Sequence, residues 1–379
     1  MSDFAPTRHA IHVLPEGELE RKLALGRPLR VKLGVDPTSP DVHLGFAFVL
    51  DQLRAWQDAG HTVVLIVGDY TARIGDPSGR SSERPVLPDE ELDANAERFA
   101  DQAFRVLDRE RTEVRFNGEW LAQLSFAEVV RLTRILTVSR LLERDDFAKR
   151  MAAQEPISLS ELLYPPMQAY DSVAIDADVE IGGTDQLYNL LTGRDVLERY
   201  GKPPQLVVTY PLLVGLDGAE KMSKSRGNYV GIEEPPEEMF GKTMSIPDEA
   251  LPQWWELLAG GGEHPAEPME WKLELARRIT ARWHGAEGAR AGEEWFTRVV
   301  RQHEAPEEIP ERAVALEPYL PAVLQEVFGA SASHWRRQID QGGVRVDGEA
   351  VSSYEVDPAR LDGAVLQAGK RRFVRLRRV

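Results

Sequence analysis

The chain has 379 residues, of which 42% are hydrophobic and 28% are charged, a composition typical of soluble globular proteins. This length exceeds that of an ordinary single-core domain, so two or three domains are expected. Because the chain contains no cysteine, disulfides, thiolate catalysis and cysteine-ligated zinc are excluded. The sequence has neither an apolar signal core nor an apolar run of about 20 residues, which predicts a cytoplasmic location and no membrane contact.

The charge is distributed unevenly along the chain. The formal net charge is −16, which by itself argues against non-specific nucleic-acid binding. From Arg336 to the end, however, ten basic residues stand against six acidic ones, a local excess of +4 that leaves −20 for the rest. A basic end on an acidic body indicates a local site for a polyanion, with a merely solvated charged terminus as the alternative.

The first stretch that indicates a function runs from Val31 to Phe46. It predicts a short strand, a turn rich in Pro, Asp and Ser, and a helix from about His43 to Ala59 that ends at Gly60. The side chains expected to pack inward are Leu44, Phe48, Leu50, Leu53 and Trp56. Unpaired N–H groups and the positive end of the helix dipole favour an anion there, and Gly45 allows close approach. An ordinary capped helix with an incidental histidine is the alternative.

The next segments predict an α/β architecture. The apolar run His61–Asp69 is typical of a strand buried on both faces of a parallel sheet. The polar loop Ile74–Pro85 follows the end of that strand, and its position there favours a functional loop over an ordinary surface loop. Residues 88–160 then read as mostly helical, with one β-like piece at Thr112–Phe116, and resemble an inserted segment.

Two further stretches bring polar groups or bare backbone to the same region. A helix starting at Tyr164 would place Tyr164, Gln168 and Asp171 on one face, either as a polar pocket or as a solvated surface. After it, Val179–Gln186 predicts a strand that ends in two glycines and leads into a helix to about Tyr200. Leu206–Tyr210 is the next predicted strand.

The last of these stretches is the loop Gly215–Asn228. It carries Lys221 and Lys224, three residues apart, among glycines, serines and an asparagine. Such a loop is mobile, and its two ammonium groups could fold over a polyphosphate. A randomly charged loop is the alternative.

These stretches resemble the signatures of a known family. Lys221–Ser225 matches the second signature of the class I aminoacyl-tRNA synthetases, and His43–Phe46 resembles the first. Four other stretches resemble the bacterial tyrosyl-tRNA synthetases specifically, namely Gly34–Thr38, Gly75–Gly79, Gln168–Asp171 and Gly182–Gln186. The resemblance covers essentially the whole chain, and the motifs are specific as a set.

The resemblance implies an ATP-dependent ligase. In that family the carboxylate of L-tyrosine attacks the α-phosphate of ATP, which gives tyrosyl-adenylate and pyrophosphate, and the tyrosyl group then passes to the terminal ribose of tRNA(Tyr). Catalysis would consist of positioning and stabilisation of phosphate charge. Mg²⁺ is expected with the triphosphate, without a permanently bound protein-ligated metal. A homodimer is also implied.

The resemblance also implies roles for individual residues. Those matched to catalysis at the phosphates are Thr38, His43, Lys221 and Lys224. Those matched to further ATP contacts are Asp36, Gly45, Gly182, Asp185, Met222 and Ser223. Tyrosine recognition matches Tyr164, Gln168 and Asp76 to the ammonium group, Gln186 to the carboxylate, and Asp171 to the phenol hydroxyl. An apolar analogue such as phenylalanine would leave Asp171 unpaired.

The sequence departs from the family pattern at two positions. Phe46 stands where the first signature often ends in a second histidine, so a polar contact to ATP is lost there. Lys32 stands where many relatives have a tyrosine that helps to bind the phenol. We expect Lys32 to pair with Asp69 at the neighbouring strand end, the pair lining the phenol pocket.

The implied domain organisation has three parts. A Rossmann-type parallel-sheet catalytic domain would occupy residues 1–230, with a helical insertion at about 88–160 as the expected dimer interface. An α-helical anticodon-side domain would follow at 231–320, and a small α+β S4-like RNA-binding domain at 321–379. The residues expected to bind RNA phosphates in this last domain are Arg336, Arg337, Arg345, Lys370 and Arg371.

Three other readings stay open at this stage. The nearest is a tryptophanyl-tRNA synthetase of the same subclass, and the second is a nucleotidyltransferase that does not use tRNA. A non-catalytic RNA-binding protein descended from such an enzyme is the third, although the two lysines of the loop argue against it.

Overall fold

A computed structural model describes residues 4–38, 41–78, 88–301, 309–369 and 372–378. The chain divides into two compact units. Unit 1 comprises Met1–Glu234 and Ser245–Leu275, and unit 2 comprises Pro235–Met244 and Ala276–Val379. Among the described residues, no helix combines the length and the apolar character needed to traverse a bilayer.

The described residues form strands in two sheets. Those of unit 1 are β1 (His12–Leu14), β2 (Arg30–Val35), β3 (Thr62–Val67), β4 (Thr112–Phe116), β5 (Val179–Gly183) and β6 (Leu206–Tyr210). Those of unit 2 are β7 (Glu311–Val314), β8 (Val344–Val346), β9 (Glu349–Ala350), β10 (Val365–Ala368) and β11 (Arg372–Arg378).

Helices connect and cover these strands. The first nine α-helices are α1 (Glu18–Leu23), α2 (Leu44–Asp58), α3 (Asp89–Ala103), α4 (Gly118–Leu121), α5 (Phe126–Thr133), α6 (Val138–Leu142), α7 (Asp145–Ala152), α8 (Tyr164–Ala174) and α9 (Leu187–Arg199). The others are α10 (Pro236–Met244), α11 (Leu251–Leu258), α12 (Pro268–Trp295), α13 (Leu320–Phe328), α14 (Ala332–Asp340) and α15 (Pro358–Leu361). Short 3₁₀ turns lie at Ala5–Thr7, Thr71–Arg73, Arg109–Arg111, Glu161–Leu163, Thr184–Gln186, Lys224–Arg226 and Asp248–Ala250, and a π-helix lies at Phe296–Arg301.

The sheet of unit 1 has six strands in the order β1-β6-β5-β2-β3-β4. The five strands from β6 to β4 run parallel, and β1 is antiparallel to β6. The chain leaves β2 toward β3 on one side and returns with β5 on the other, so the strand order reverses between β2 and β5. In open α/β sheets, ligands bind at such a switch point, beyond the carboxyl ends of the strands.

The predicted strand and helix are confirmed almost residue for residue, whereas Ser39 and Pro40 of the predicted turn lie outside the described residues. Helix α2 spans Leu44–Asp58, with His43 as its N-cap and Ala59 as its C-cap, and Gly60 has a φ of 91°. The five side chains predicted to face inward, Leu44, Phe48, Leu50, Leu53 and Trp56, are all buried. The apolar spacing therefore fixes the face that α2 packs on the sheet.

The segment 88–160 is more than a helical insertion. Its β-like piece, Thr112–Phe116, is strand β4, which pairs in parallel with β3 from Val63 to Val67 and forms an edge of the main sheet. The strand therefore contributes its carboxyl end to the region that binds ligands, together with the residues that follow it.

The expected domain boundary at residue 230 needs correction, because residues 245–275 belong to unit 1. In α11, Gln253 accepts a hydrogen bond from the backbone N–H of Val214 (2.9 Å) and donates one to the carbonyl of Leu212 (3.1 Å). The indole of Trp254 donates to the carbonyl of Val214 (3.0 Å). Helix α11 thus satisfies the backbone that leads into the lysine loop.

The sheet of unit 2 has the order β7-β11-β10-β8-β9, and β7 pairs with β11 in parallel. Helices α13 and α14 share a buried core with this sheet, whose members include Leu320, Leu324, Trp335, Leu366 and Leu376. Because Glu311–Val314 are one of its strands, the C-terminal fold begins before the expected boundary at residue 321.

Candidate active site

A cavity of about 570 Å³ lies at the switch point of the sheet of unit 1. Its walls come from the carboxyl ends of β2 and β5, from the start of α2, from α8, and from the lysine loop. The cavity therefore lies where parallel strands end and where the first N–H groups of a helix point, the region in which the sequence predicted a nucleotide site.

Most of the predicted site residues line this one cavity. They are Asp36, Thr38, His43, Gly45, Asp76, Tyr164, Gln168, Asp171, Gly182, Asp185, Gln186, Lys221, Met222 and Ser223. Three others, Lys32, Asp69 and Lys224, do not line it. Of the predicted loop Ile74–Pro85, residues 79–85 lie outside the described residues. Residues up to nearly 190 positions apart in the sequence thus line the same cavity.

The deep end of the cavity is built around Asp171, which is only 2% exposed. One carboxylate oxygen accepts a hydrogen bond from the indole N–H of Trp120 (2.8 Å), and the other accepts one from the amide of Asn117 (3.3 Å). Burial raises the pKa of Asp171 to about 7, against the opposing influence of the Lys32 ammonium. Asp171 is therefore a buried acceptor that ionises near neutral pH.

The two donors to this carboxylate were not among the site residues predicted from the sequence. Asn117 and Trp120 follow β4, and the amide of Asn117 also donates to the hydroxyl of Thr71 (3.0 Å). That hydroxyl in turn donates to Asp36 (2.7 Å). The available signal was their position directly after a strand, because the carboxyl ends of parallel strands meet at the same edge of the sheet.

The polar face predicted for the helix at Tyr164 forms part of a pocket, not a solvated surface. Tyr164, Gln168 and Asp171 are all buried and all line the cavity. The phenol of Tyr164 donates to Asp36 (3.1 Å), and burial together with the charge of Asp36 raises the pKa of Tyr164 well above its ordinary value. This phenol therefore stays protonated and keeps its donor.

A second group of polar side chains lies beside this helix. The amide of Gln186 donates to one carboxylate oxygen of Asp76 (2.7 Å), and the other oxygen accepts the backbone N–H of Ser78 (2.9 Å). The carbonyl oxygen of Gln186 accepts a hydrogen bond from Asn189 (3.0 Å). Asp76 and Gln186 are thus held in fixed orientations at the cavity wall.

The expected pairing of Lys32 with Asp69 is wrong. The ammonium group of Lys32 lies 2.9 Å from Glu180, and Asp69 instead accepts the backbone N–H of Gly118 (2.8 Å). In the register of the sheet, Lys32 is opposite Val64 on one side and Glu180 on the other. Asp69 lies five residues beyond Val64, roughly 16 Å further along the strand direction, which no lysine side chain spans.

The outer end of the cavity is built from the two signature stretches. The imidazole of His43 accepts the backbone N–H of Phe46 (3.1 Å), which makes it the N-cap of α2. The backbone N–H of Gly45 points at the sulfur of Met222 (3.4 Å), so the lysine loop covers the first turn of α2. The ring of Phe46 lines the cavity and packs edge-on against Phe99.

The lysine loop is tied down by Asn228. Its amide nitrogen donates to Asp217 (2.6 Å) and to the carbonyl of Lys221 (3.2 Å), and its amide oxygen accepts the backbone N–H of Ser223 (2.8 Å). The ammonium group of Lys221 projects from this loop and pairs with Asp185 (2.6 Å). A cation is thus held at the cavity mouth by a single carboxylate.

Lys224 lies close to His43 without lining the cavity. Burial, followed by the nearby charges of Lys224 and Lys221, lowers the pKa of His43 to about 3, so the imidazole is neutral at physiological pH. Burial also lowers the pKa of Lys224 to about 8, against the opposing charge of Asp41. The outer end therefore combines a neutral imidazole with two lysines.

Gly34 and Gly183 differ in the space that surrounds the position of a Cβ atom. Gly34 is exposed at the cavity wall, and a Cβ there would meet no described atom within 4 Å. At Gly183, by contrast, a Cβ would lie 2.6 Å from the side chain of Leu212 and 2.7 Å from that of Asp185. A side chain at Gly183 would therefore displace the ends of these two side chains, whereas Gly34 presents bare backbone to the cavity.

The residues expected to bind RNA lie in unit 2. Arg336 and Arg337 on α14 and Arg345 on β8 are exposed. Lys370 and Arg371 lie outside the described residues. In the part of the chain that the structure describes, no group of three or more His, Asp or Glu residues is arranged to hold a metal ion.

Comparison with known proteins identifies the class of protein that this fold and cavity define. The family model described as "tRNA synthetases class I (W and Y)" matches residues 24–300. The chain belongs to this family, and therefore to the class I tRNA synthetases.

Within the class, two relatives with high sequence identity are bacterial tyrosine–tRNA ligases. The chain is 48% identical to the tyrosine–tRNA ligase of Moorella thermoacetica, over 97% of this chain and 94% of the relative. It is 49% identical to the tyrosine–tRNA ligase of Thermotoga maritima, over 97% of this chain and 95% of the relative. These similarities confirm the predicted resemblance to the bacterial tyrosyl-tRNA synthetases.

Solved structures show the same fold at lower identity. The tyrosyl-tRNA synthetase of Archaeoglobus fulgidus, complexed with L-tyrosine, superposes with a TM-score of 0.61 at 24% identity, over 77% of this chain and 99% of the other. The synthetase of Aeropyrum pernix gives 0.60 at 20% identity, over 77% of this chain and 97% of the other.

Proposed function

We propose that the chain is a tyrosine–tRNA ligase that forms tyrosyl-adenylate in the cavity of unit 1 and then charges tRNA(Tyr). The observation that carries this proposal is the meeting of both signature stretches with Asp171 in one cavity. One end offers a buried acceptor for a phenol, and the other offers cations and helix N–H groups for phosphates. An indole N–H could also donate to Asp171, so it is the similarity to tyrosine–tRNA ligases at 48% and 49% identity that favours tyrosine over the tryptophanyl alternative.

Tyrosine is oriented by the polar side chains of the deep end. The phenol hydroxyl donates to Asp171, and the ammonium group is bound by Tyr164, Gln168 and Asp76. Gln186, whose amide donates to Asp76, contacts the carboxylate of the bound tyrosine. A site that hydrogen-bonds the hydroxyl rejects phenylalanine, since the buried acceptor would otherwise be left unpaired.

Adenylate formation needs no protein nucleophile. A carboxylate oxygen of tyrosine forms a bond to the α-phosphorus of ATP, and the bond from that phosphorus to the pyrophosphate oxygen breaks. Thr38, the neutral His43 and the first turn of α2 at Gly45 contact the phosphates, while Lys221 and Lys224 neutralise the leaving pyrophosphate. The protein thus contributes positioning and charge stabilisation.

The adenosine part of ATP takes the wall next to the two signature stretches. Asp36, Gly182 and Asp185 contact the nucleoside, and Met222 and Ser223 cover it from the lysine loop. Mg²⁺ enters as part of the substrate, carried by the triphosphate, because Mg²⁺ commonly keeps its waters and binds through substrate phosphates.

Unit 2 is proposed to bind tRNA. The exposed residues Arg336, Arg337 and Arg345 support this, together with the local excess of positive charge from Arg336 onward. The α13–α14 pair on a small sheet serves as an S4-like module, and the helical part before residue 301 serves as the anticodon-side region. The cytoplasm, where uncharged tRNA and ATP occur, is the proposed location.

A homodimer is proposed from the exposed apolar side chains of the segment 126–159. The large hydrophobic residues exposed there are Phe126, Val130, Val138, Met151 and Leu159. Phe126 is 82% exposed at the start of α5, which is unusual for a phenylalanine on a monomeric surface. A second copy of the chain is the occupant that the class suggests.

The decisive experiment measures exchange of labelled pyrophosphate into ATP by the full chain, with tyrosine, tryptophan or phenylalanine as the amino acid, followed by aminoacylation of bacterial tRNA(Tyr). We expect exchange with tyrosine alone and formation of tyrosyl-tRNA. Exchange that depends on tryptophan would contradict the substrate assignment. Exchange with tyrosine but without transfer to tRNA would instead indicate a nucleotidyltransferase that does not use tRNA.

A further inference from the structure

A buried polar cluster lies between α8 and the sheet, next to the cavity, and of its members only Gln168 lines that cavity. Its centre is the ion pair of Lys32 on β2 and Glu180 on β5, whose side chains are 0% and 1% exposed and 2.9 Å apart. These two residues are neighbours in the parallel register of β2 and β5. The cluster is completed by Gln168 and Ser172 on α8 and by Gln205, which precedes β6.

The ammonium group of Lys32 has three acceptors in this cluster. Besides Glu180, it donates to the backbone carbonyl of Gln168 (2.9 Å) and to the hydroxyl of Ser172 (2.9 Å). An ammonium group has three N–H donors, so its capacity is filled within the protein. Lys32 is therefore not available to a ligand. Its hydrogen bond to the backbone carbonyl of Gln168 instead holds α8 against the sheet at that residue.

Only one of the two polar atoms in the side-chain amide of Gln168 has a hydrogen-bond partner among the described residues. Its nitrogen donates to Glu180 (3.3 Å), whereas its oxygen is buried and has no hydrogen-bond partner among the described residues. Gln168 is 9% exposed and lines the cavity. A buried amide oxygen without a partner is costly, unless a donor from a ligand completes it.

We propose that Glu180, neutralised by Lys32, is a positioning residue that turns the Gln168 amide so that its oxygen accepts a hydrogen bond from the substrate ammonium group. This inference rests on the proposed role of Gln168 as an ammonium ligand.

The chemistry of a carboxylate explains why an acid is needed at position 180. A carboxylate only accepts hydrogen bonds, so the amide of Gln168 must direct its nitrogen to Glu180, which leaves its oxygen as the atom that can accept a donor from a ligand. A glutamine at position 180 would accept either orientation of that amide. Lys32 is required because an unpaired carboxylate, fully buried, would be strongly destabilising or would become protonated and lose its directing effect.

The same pair also acts on Asp171. The charged groups that influence Asp171 are Lys32 from β2 and Glu180 from β5, while the donors Asn117 and Trp120 follow β4. On its own helix, the phenol of Tyr164 lies near and binds Asp36. Lys32 lowers the pKa of Asp171 and Glu180 raises it. Removal of each partner therefore shifts the ionisation of Asp171 in opposite directions.

The test uses the near-isosteric variant Glu180→Gln in the full chain. In tyrosine-dependent pyrophosphate exchange, we expect its KM for tyrosine to rise about tenfold, with kcat and the KM for ATP changed less than about twofold. Tyramine keeps the ammonium group, and 3-(4-hydroxyphenyl)propanoate lacks it. Tyramine should inhibit the variant about tenfold more weakly than it inhibits the unsubstituted enzyme. Inhibition by the deaminated compound should be the same for both.

Two matched variants separate this inference from its premise. Gln168→Leu should abolish the preference for tyramine over the deaminated compound; if it does not, the proposed role of Gln168 fails. Should Gln168→Leu abolish that preference while Glu180→Gln retains it in full, the positioning role of Glu180 is overturned and the role of Gln168 stands. Asp178→Asn removes another buried acid, which directly precedes β5 and pairs with Arg27 (2.7 Å), and should leave both inhibitors unaffected.

A double variant separates positioning from stability. Lys32→Met combined with Glu180→Gln leaves no unpaired buried charge, so its melting temperature should recover relative to Glu180→Gln alone. The tenfold rise in the KM for tyrosine should persist, because the amide of Gln168 is still free to turn. Recovery of both properties together would overturn the proposal, since it would mean that the pair only stabilises the fold.

The pH profile supplies an independent measurement. The acid limb of kcat/KM for tyrosine should move to higher pH in Lys32→Met and to lower pH in Glu180→Gln, relative to the unsubstituted enzyme. A purely structural pair would shift both variants in the same direction or in neither, which would contradict its placement beside Asp171.

Discussion

The two ends of the cavity are built on different physical principles. At the deep end, the acceptor Asp171 is almost completely buried, and both of its oxygens receive hydrogen bonds from fixed side chains. At the outer end, Lys221 is partly exposed and is held by one carboxylate, Asp185, on a loop. One end is a rigid set of neutral and acidic groups, and the other is a set of cations on a loop.

This difference indicates that the deep end provides selectivity for the amino acid and that the outer end provides rate enhancement. A buried, fully positioned acceptor discriminates among side chains, because a wrong ligand leaves it unpaired at a cost that water cannot offset. A cation on a loop can follow the charge that moves from the α-phosphate to pyrophosphate, and so acts mainly in the transition state. Changes at the two ends should therefore separate binding selectivity from rate.

The largest expected effect follows the substitution Lys221→Met. Loss of the ammonium group removes a cation from the leaving pyrophosphate and leaves Asp185 unpaired, so the rate of adenylate formation should fall about 100- to 1,000-fold. The affinity for tyrosine in the absence of ATP should stay within about twofold. Stopped-flow fluorescence for adenylate formation and equilibrium dialysis for tyrosine binding measure the two quantities.

The matched control for this variant is Lys272→Met. Lys272 also pairs with an aspartate at 2.6 Å, Asp248, but it does not line the cavity. The rate of adenylate formation by the Lys272→Met variant should be unchanged. A loss of tyrosine affinity in Lys221→Met as large as the loss of rate would break the proposed separation between the two ends.

A smaller effect, on selectivity for the amino acid, is expected from Asp171→Asn. The new amide nitrogen would face the donor of Asn117 and the phenol hydroxyl, so the ratio of kcat/KM for tyrosine over phenylalanine should fall about 100-fold. Pyrophosphate exchange with each amino acid measures this ratio. An unchanged ratio would show that another group recognises the phenol.

The smallest expected effect is a change with pH. Ionisation of Asp171 is needed to accept the phenol proton, and its pKa is raised to about 7, so kcat/KM for tyrosine should fall about tenfold per pH unit below pH 7. Above about pH 8, Lys224 loses its charge, and kcat/KM for ATP should decline. His43 adds no limb in this range, since its pKa is about 3.

A profile that is flat from pH 5 to 8 for the unsubstituted enzyme would contradict the ionisation of Asp171. In Asp171→Asn the acid limb should disappear, while the alkaline limb for ATP should stay. A limb that persists in this variant would have to be assigned to a different group.

Local patterns carried much of the prediction. The period of the apolar residues between Leu44 and Trp56 identified the buried face of α2, and the spacing of Tyr164, Gln168 and Asp171 put them on one face of α8. Such patterns are readable because a helix or a strand repeats with a fixed period along the chain. The order of the motifs then indicated one nucleotide site.

The contacts between segments distant in the sequence were not readable in the same way. The expected pair Lys32–Asp69 was wrong, because the register of β2 with β3 and β5 decides which side chains are neighbours. The donors to Asp171, Asn117 and Trp120, were missed because β4 was taken for part of a helical insertion. The role of α11 beneath the lysine loop was missed for a similar reason.

By itself, the sequence determined the chemical inventory of this protein: its elements, its two signature stretches, and the residue types that a tyrosine and a nucleotide need. Only the tertiary structure decided which charges neutralise each other, above all that Lys32 faces Glu180 behind the helix that carries Gln168. The physical reason is that local periodicity is set by neighbouring backbone geometry. The partner of a buried charge is set by sheet register and packing, which involve residues more than a hundred positions apart.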